Sequence, residues 1–156
     1  MRKLLSLAAI GTALTCAPAL AQQVTVKIGV LSDMSSLYAD IGGPGSVAAA
    51  RLAVADFAKD HPNLKVEVIS GDHQNKADVG SQIVNQWFDV DKVDMVIDVP
   101  NSGVALAVSA IAAAKNKLFI VSGAAASDLT GPKCTPTPSI GATTPGCWPT
   151  APARRW

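Results

Sequence analysis

Residues Val93–Val121, VDMVIDVPNSGVALAVSAIAAAKNKLFIV, decide the fold. Val93–Val99 (VDMVIDV) reads as a strand rich in β-branched residues. Asn101 or Ser102 then offers a short side-chain oxygen suited to capping the N–H groups of a first helical turn. Gly103–Ala114 (GVALAVSAIAAA) is an Ala-rich helix, and Leu118–Val121 (LFIV) is a second strand, apolar throughout, as a strand covered on both faces requires. Strand, helix and strand at this spacing predict a right-handed βαβ crossover joining parallel strands.

Upstream the same unit repeats. Val24–Leu31 (VTVKIGVL) opens with period-2 alternation and ends apolar, and Gly43–Ala58 carries Val47, Leu52, Val54, Ala55 and Phe57 at helical spacings. Lys65–Ser70 (KVEVIS) alternates strictly, and Ala77–Phe88 sets Val79, Ile83, Val84, Trp87 and Phe88 on one helical stripe. The expected fold is therefore α/β, a doubly wound parallel sheet of alternating βαβ units with helices on both faces.

The ends of the chain differ from this body. Met1-Arg2-Lys3, the apolar run Leu4–Leu14 and the small-x-small site Ala19-Leu20-Ala21 form the pattern of a cleavable secretory signal peptide over residues 1–21. That apolar run is shorter than the about 20 residues a membrane span needs. Cys16 follows Thr15 rather than the Gly or Ala that usually precedes a lipidated cysteine, so lipidation is disfavoured. The expected location is the periplasm. Residues 22–133 hold nine Lys or Arg against twelve Asp or Glu, a balance that lacks the basic surplus of a nucleic-acid binder. Cys134 and Cys147 can pair in an oxidising compartment, yet two cysteines near one end do not make a disulfide scaffold.

In open parallel sheets, ligands bind beyond the carboxyl ends of the strands, where strand order reverses. Three loops there supply the candidate ligand-binding residues: Tyr38 and Asp40 after the first strand, Asn101, Ser102 and Gly103 after the third, and Gly123, Ala124 and Ala125 after the fourth. Short polar side chains and exposed N–H groups at helix N-termini suit a carboxylate. For any one of these residues, ordinary turn or capping chemistry is the commoner role, and the convergence of three loops carries the case.

The order of motifs also carries a resemblance. KIGVLSDMSSLYADIGGPGSVAAARLAVADF, GDHQNKADVGSQIVNQW and DMVIDVPNSGVALAVSAIAAAKNKLFIVSGAAASDLTG together resemble the N-terminal lobe of the leucine/isoleucine/valine-binding-protein family, the solute receptors of branched-chain amino acid-type ABC importers. The resemblance implies a lobe over residues 22–133 that grips a small solute, an amino acid, amide or aromatic acid, against a second lobe. It also implies ABC permease subunits as partners and no cofactor. It places Ser102 and Gly123-Ala124-Ala125 at the family's head-group site. Family members often carry Thr where Ala125 stands, a departure pointing away from a strictly branched-chain solute. The alternative is a periplasmic ligand-sensing module, which a neighbouring kinase gene would favour.

Enzyme motifs are missing. There is no G-x-S-x-G elbow, no phosphate loop and no paired-histidine metal motif, and Gly42-Gly43-Pro44-Gly45 lacks the lysine and spacing of a phosphate loop. Asp33 or Asp98 as a receiver-type phosphorylation site lacks the accompanying acidic cluster and lysine. His61, in Asp60-His61-Pro62, and His73, beside Asp72, read as solvated loop histidines rather than metal ligands.

After Lys133 the chain turns into CTPTPSIGATTPGCWPTAPARRW (134–156), Pro-rich and without hydrophobic period. Composition alone allows a linker or disordered tail. Permitted codons for residues 137–156, read one frame away, give TVHWRYDTWMLAN and then GTGKAV, which looks like the family's own continuation. A frameshift near Pro136-Thr137 is the favoured reading, and a chain so shortened is expected to bind solute poorly and to expose sheet edges. Resequencing codons 134–138 tests it: an intact single frame in independent clones removes the sequencing-error version.

Overall fold

The computed structural model describes residues 23–135 of the 156-residue chain; residues 1–21, read above as a signal peptide, and the tail from 136 onward lie outside them. Strands β1 (Val24–Ser32), β2 (Leu64–Asp72), β3 (Met95–Asp98) and β4 (Leu118–Val121) alternate with helices α1 (Gly43–Asp60), α2 (Ala77–Gln86) and α3 (Ser102–Ala114). A π-helical turn, Trp87–Asp91, extends α2, and a single 3-10 turn, Ser127–Leu129, follows β4. The elements expected from the sequence are present, their ends shifted by a few residues; the third strand is the most shortened.

The sheet order is β2-β1-β3-β4 and every pairing is parallel. From β1 the chain moves outward to β2, then crosses back over β1 to β3 and on to β4. The direction of winding thus reverses between β1 and β3, which makes their carboxyl ends the switch point of the sheet.

Side chains alternate across each strand, so one face of the sheet takes Leu31, Val96, Phe119 and Val121. These cluster with Val84, Trp87, Val104, Ala105, Val108 and Ala112 into the hydrophobic core beneath α2 and α3. Two glycines let Trp87 lie close: a Cβ on Gly29 would come within 2.4 Å of the indole, and one on Gly71 within 2.9 Å. Gly80 plays the same part between helices, where an added Cβ would stand 2.6 Å from Val104 Cγ1.

The opposite face departs from the expected two-sided cover. Helix α1 packs on β1 and β2, burying Val30 and Val47. Met95, Ile97, Leu118 and Ile120, which alternate with the core residues of β3 and β4, are only half-buried. The apolar residues read at helical spacings on α1 are not all buried either: Leu52 is 69% exposed and Phe57, stacked on His61, 41% exposed. Among the described residues, no helix is long and apolar enough to cross a membrane.

Candidate functional site

Two carboxylates, the buried Asp33 and the half-buried Asp72, organise the exits of β1 and β2. Asp33, fully buried, accepts the N–H groups of Ser36 and Tyr38, each at 2.9 Å, and the Ser36 hydroxyl at 2.6 Å. Asp72 accepts the N–H groups of Met34 (3.0 Å) and Gln74 (2.8 Å) and the Ser35 hydroxyl (2.6 Å). Burial works to raise both carboxyl pKa values, but these hydrogen bonds to the charged form outweigh it and hold both below the usual carboxylate range. Asp followed by Ser at the second and third positions is a sequence sign of such side-chain-closed turns. The first-loop candidates were chosen without it.

His73 corrects an expectation. It is fully buried rather than solvated, with Nδ1 accepting the Asn75 N–H at 3.0 Å. Burial lowers its pKa, outweighing the charges of Asp33, Asp72 and Asp98, which act to raise it. The neutral ring therefore carries its hydrogen on Nε2, which has no partner among the described residues. His61 does lie exposed just past α1. No group of acidic, Cys or His side chains among the described residues is arranged to hold a metal.

At the third exit, Asn101 is the cap of α3: its side-chain oxygen accepts the Val104 N–H at 2.9 Å, and its amide donates to Asn75 Oδ1. Ser102 is the first residue of the helix and Gly103 the second. Their N–H groups find no acceptor among the described residues and lie at the positive end of the helix dipole. The fourth exit presses against the third, since a Cβ on Gly123 would stand 3.1 Å from Pro100 Cα. Ala125 is exposed, whereas the Ala124 methyl belongs to the hydrophobic core and only its backbone is left to meet a ligand. Tyr38 is half-buried and Asp40 exposed on the β1–α1 loop. No hydrogen bond among the described residues ties either to the third and fourth exits. Leu37 and Ile41 on that loop are each 75% exposed and form an apolar edge that the choice of polar residues passed over.

Asp98 joins the exits. Its carbonyl accepts the Ser122 N–H at 3.1 Å and its Oδ1 the Ser122 hydroxyl at 2.5 Å, while the Val99 N–H reaches Leu31 O at 2.9 Å. Asp98 and Val99 both take positive φ, 83° and 58°. Two such residues in succession, one β-branched, store backbone strain at the switch point, as ligand sites commonly do.

This geometry defines a class: a parallel α/β lobe whose switch point presents helix-terminal N–H groups, with no catalytic constellation among the described residues. The chain belongs to the periplasmic binding protein family, whose model matches residues 25–150. No curated protein matches it. A periplasmic binding protein from Burkholderia mallei is 43% identical with a TM-score of 0.68, over 72% of this chain and 30% of its own. A branched-chain amino acid ABC transporter periplasmic ligand-binding protein from Burkholderia xenovorans is 45% identical with a TM-score of 0.67, over 70% of this chain and 29% of its own. A solute-binding protein of an ABC transporter from R. palustris, solved with benzoate, shares the fold at 22% identity and a TM-score of 0.63, over 75% of this chain and 32% of its own. The chain thus spans about 30% of the length of the solved structures it matches. The family is periplasmic, and it is a family of binding proteins rather than of enzymes.

Proposed function

We propose that the chain is the N-terminal lobe of a solute receptor for an ABC importer, taking a branched-chain amino acid or a related small carboxylate or amide, without catalysis of its own. The observation that carries this reading is the pair of unpartnered N–H groups, Ser102 and Gly103, at the start of α3, set between the β1 and β4 exits at the switch point. A carboxylate placed there gains from both the donors and the helix dipole. The relatives named for branched-chain amino acid transport and for a bound benzoate support a small carboxylate. In this reading the exposed Leu37 and Ile41 face the apolar part of the solute, and permease subunits recognise the receptor when two lobes have closed on it.

These 156 residues by themselves supply one wall of such a site, and small-molecule sites ordinarily bury most of their ligand. Weak affinity follows for the isolated chain. Amide-resolved NMR titration with leucine, an aliphatic amide and benzoate tests the reading: shifts are expected at Asn101, Ser102, Gly103 and Gly123, and a titration leaving all four unmoved overturns it. Isothermal titration tests the strength, since micromolar affinity from the purified chain overturns the one-wall argument.

A further inference from the structure

We propose that His73 is a positioning residue for the solute site, acting through Asn75 on the Asn101 cap of α3, and that protonation of its ring at acid pH weakens solute binding by loosening that cap; this rests on the solute-binding reading above. The contacts form one line. The fully buried His73 ring accepts the Asn75 N–H at Nδ1, 3.0 Å away. The Asn75 side-chain oxygen accepts the Asn101 amide, and the Asn101 oxygen accepts the Val104 N–H at 2.9 Å. Next to that cap lie the Ser102 and Gly103 N–H groups offered to the solute. The line thus joins the exit of β2 to the first turn of α3, across a separation of 26 residues between Asn75 and Asn101.

The turn that carries Asn75 is held from outside. Gln74 and Asn75 both take positive φ, 51° and 56°, and two left-handed residues in succession persist only where their surroundings impose it. The Gln74 N–H donates to Asp72 Oδ1 at 2.8 Å, the Asn75 N–H to His73 Nδ1, and the Lys76 N–H to the His73 carbonyl at 2.8 Å. The His73 N–H is itself fixed on the Ser32 carbonyl at 3.0 Å. Of these acceptors, the imidazole nitrogen is the one whose type titrates close to neutral pH.

A neutral imidazole has one acceptor nitrogen and one N–H, whereas the imidazolium has two N–H groups and no acceptor. Protonation therefore sets the Nδ1–H and the Asn75 N–H against each other, and a donor left without an acceptor away from water is costly. Asn75 must turn aside, and its side chain then no longer steadies Asn101. Three carboxylates act on the ring in favour of the proton: Asp33 at the β1 exit, Asp72 on β2 and Asp98 at the β3 exit. Helix α2 brings Lys76 at its cap and Asp78 in its first turn, both exposed, and α3 has no titratable side chain. Burial outweighs the carboxylates, so the ring is neutral at pH 7 and takes its proton below the ordinary value of about 6.5. Affinity is accordingly full above that pH and falls as pH drops through the lowered folded value.

The test follows the purified chain by amide-resolved NMR at pH 7.5 and pH 5.0, with leucine and benzoate as probes. Wild-type affinity is expected to be about threefold lower at pH 5.0. In the solute-free chain, exchange protection of the Val104 N–H, corrected for the intrinsic rate, is expected to fall about threefold over the same step. His73→Leu removes the acceptor at every pH and should weaken binding about threefold already at pH 7.5. His73→Asn supplies an acceptor for the N–H two residues on, as Asx turns do, and does not titrate, so it is expected to recover affinity lost in His73→Leu and to abolish the pH effect. Where the His73 variants lose their folded amide dispersion, Asn75→Gly suits the positive φ and deletes the side-chain link to Asn101; it is expected to lower affinity about threefold at pH 7.5 and to remove the pH effect on Val104.

Two outcomes overturn the proposal while leaving the solute-binding reading intact. In the first, wild-type affinity and Val104 protection are the same at both pH values. In the second, the pH effect persists undiminished in His73→Asn or in Asn75→Gly, which assigns it to other groups or to the probes themselves. If neither probe moves Asn101, Ser102 or Gly103 at either pH, the solute-binding reading itself has failed and the proposal falls with it.

Discussion

The two faces of the sheet are made from the same strands and similar residues, yet they are finished to different degrees. Beneath α2 and α3, Leu31, Val96, Phe119, Val104 and Val108 are buried essentially completely around Trp87. On the α1 side, Val30 and Val47 are covered while Ile97 and Ile120 are half-buried and Leu52 faces outward. An apolar side chain contributes to stability through the area it removes from water, so the same aliphatic residue has different worth on the two faces. Apolar periodicity identifies an element, and what covers that element decides its energetic weight.

The largest break in this comparison is expected from Phe119→Ala, which opens a cavity in the closed face and should cost about 4 kcal/mol in urea unfolding. A loss under about 1 kcal/mol would show that face to be loosely packed. Gly29→Ala comes next: the new methyl meets Trp87 at 2.4 Å, and displacing the indole should cost about 2–3 kcal/mol. A stability equal to wild type would mean that Trp87 yields freely.

A smaller effect is expected from pH, also on the closed side. The folded pKa of His73 lies below the unfolded value of about 6.5. Its contribution is therefore fully present above about pH 6.5 and is lost as pH falls from there through the lowered folded value, because the unfolded chain binds the proton more readily. Stability measured from pH 7.5 down to pH 5 should decline, and His73→Gln should flatten that decline; an unchanged slope in the variant would assign it to other groups. The smallest effect is Leu52→Ala on the open face, expected within about 0.5 kcal/mol of wild type. A loss above about 1.5 kcal/mol would reveal cover on α1 and remove the contrast.

Much of this architecture was legible from local pattern. Period-2 runs located β1 and β2, and the pair Asn101 or Ser102 marked the start of α3, of which the structure makes Asn101 the cap. Parallel pairing followed from helix-length connections, though the order β2-β1-β3-β4 did not, since no residue in the loops states which way the chain turns. The apolar spacing on α1 located the helix but not its cover, since periodicity reports that a surface is apolar, not that something lies on it. His73 was misread because a histidine beside Asp72 in a polar segment carries no local sign of burial; its Cβ lies only 3.5 Å from where a Cβ on Gly80 of α2 would stand. The positive φ values at Asp98 and Val99 had no signal at all, because Val is among the residues least suited to that conformation and only the packing of three strand exits imposes it. Asp33 was recoverable from Ser35 and Ser36 but looks like any turn residue until its burial is known, whereas Asp72, followed by His73 and Gln74, carries no such sign.

The indole of Trp87 rests on Gly29 of one strand and Gly71 of the next, and this has a consequence for how the strands find each other. Those glycines are diagonal neighbours, since Gly29 pairs with Ile69 and Leu31 with Gly71. Sliding β2 by one residue would turn its side chains to the other face, and sliding it by two would bring Ile69 or His73 to the place of Gly71 under the ring. Trp87 thus works as a gauge that fits a single alignment of β1 and β2.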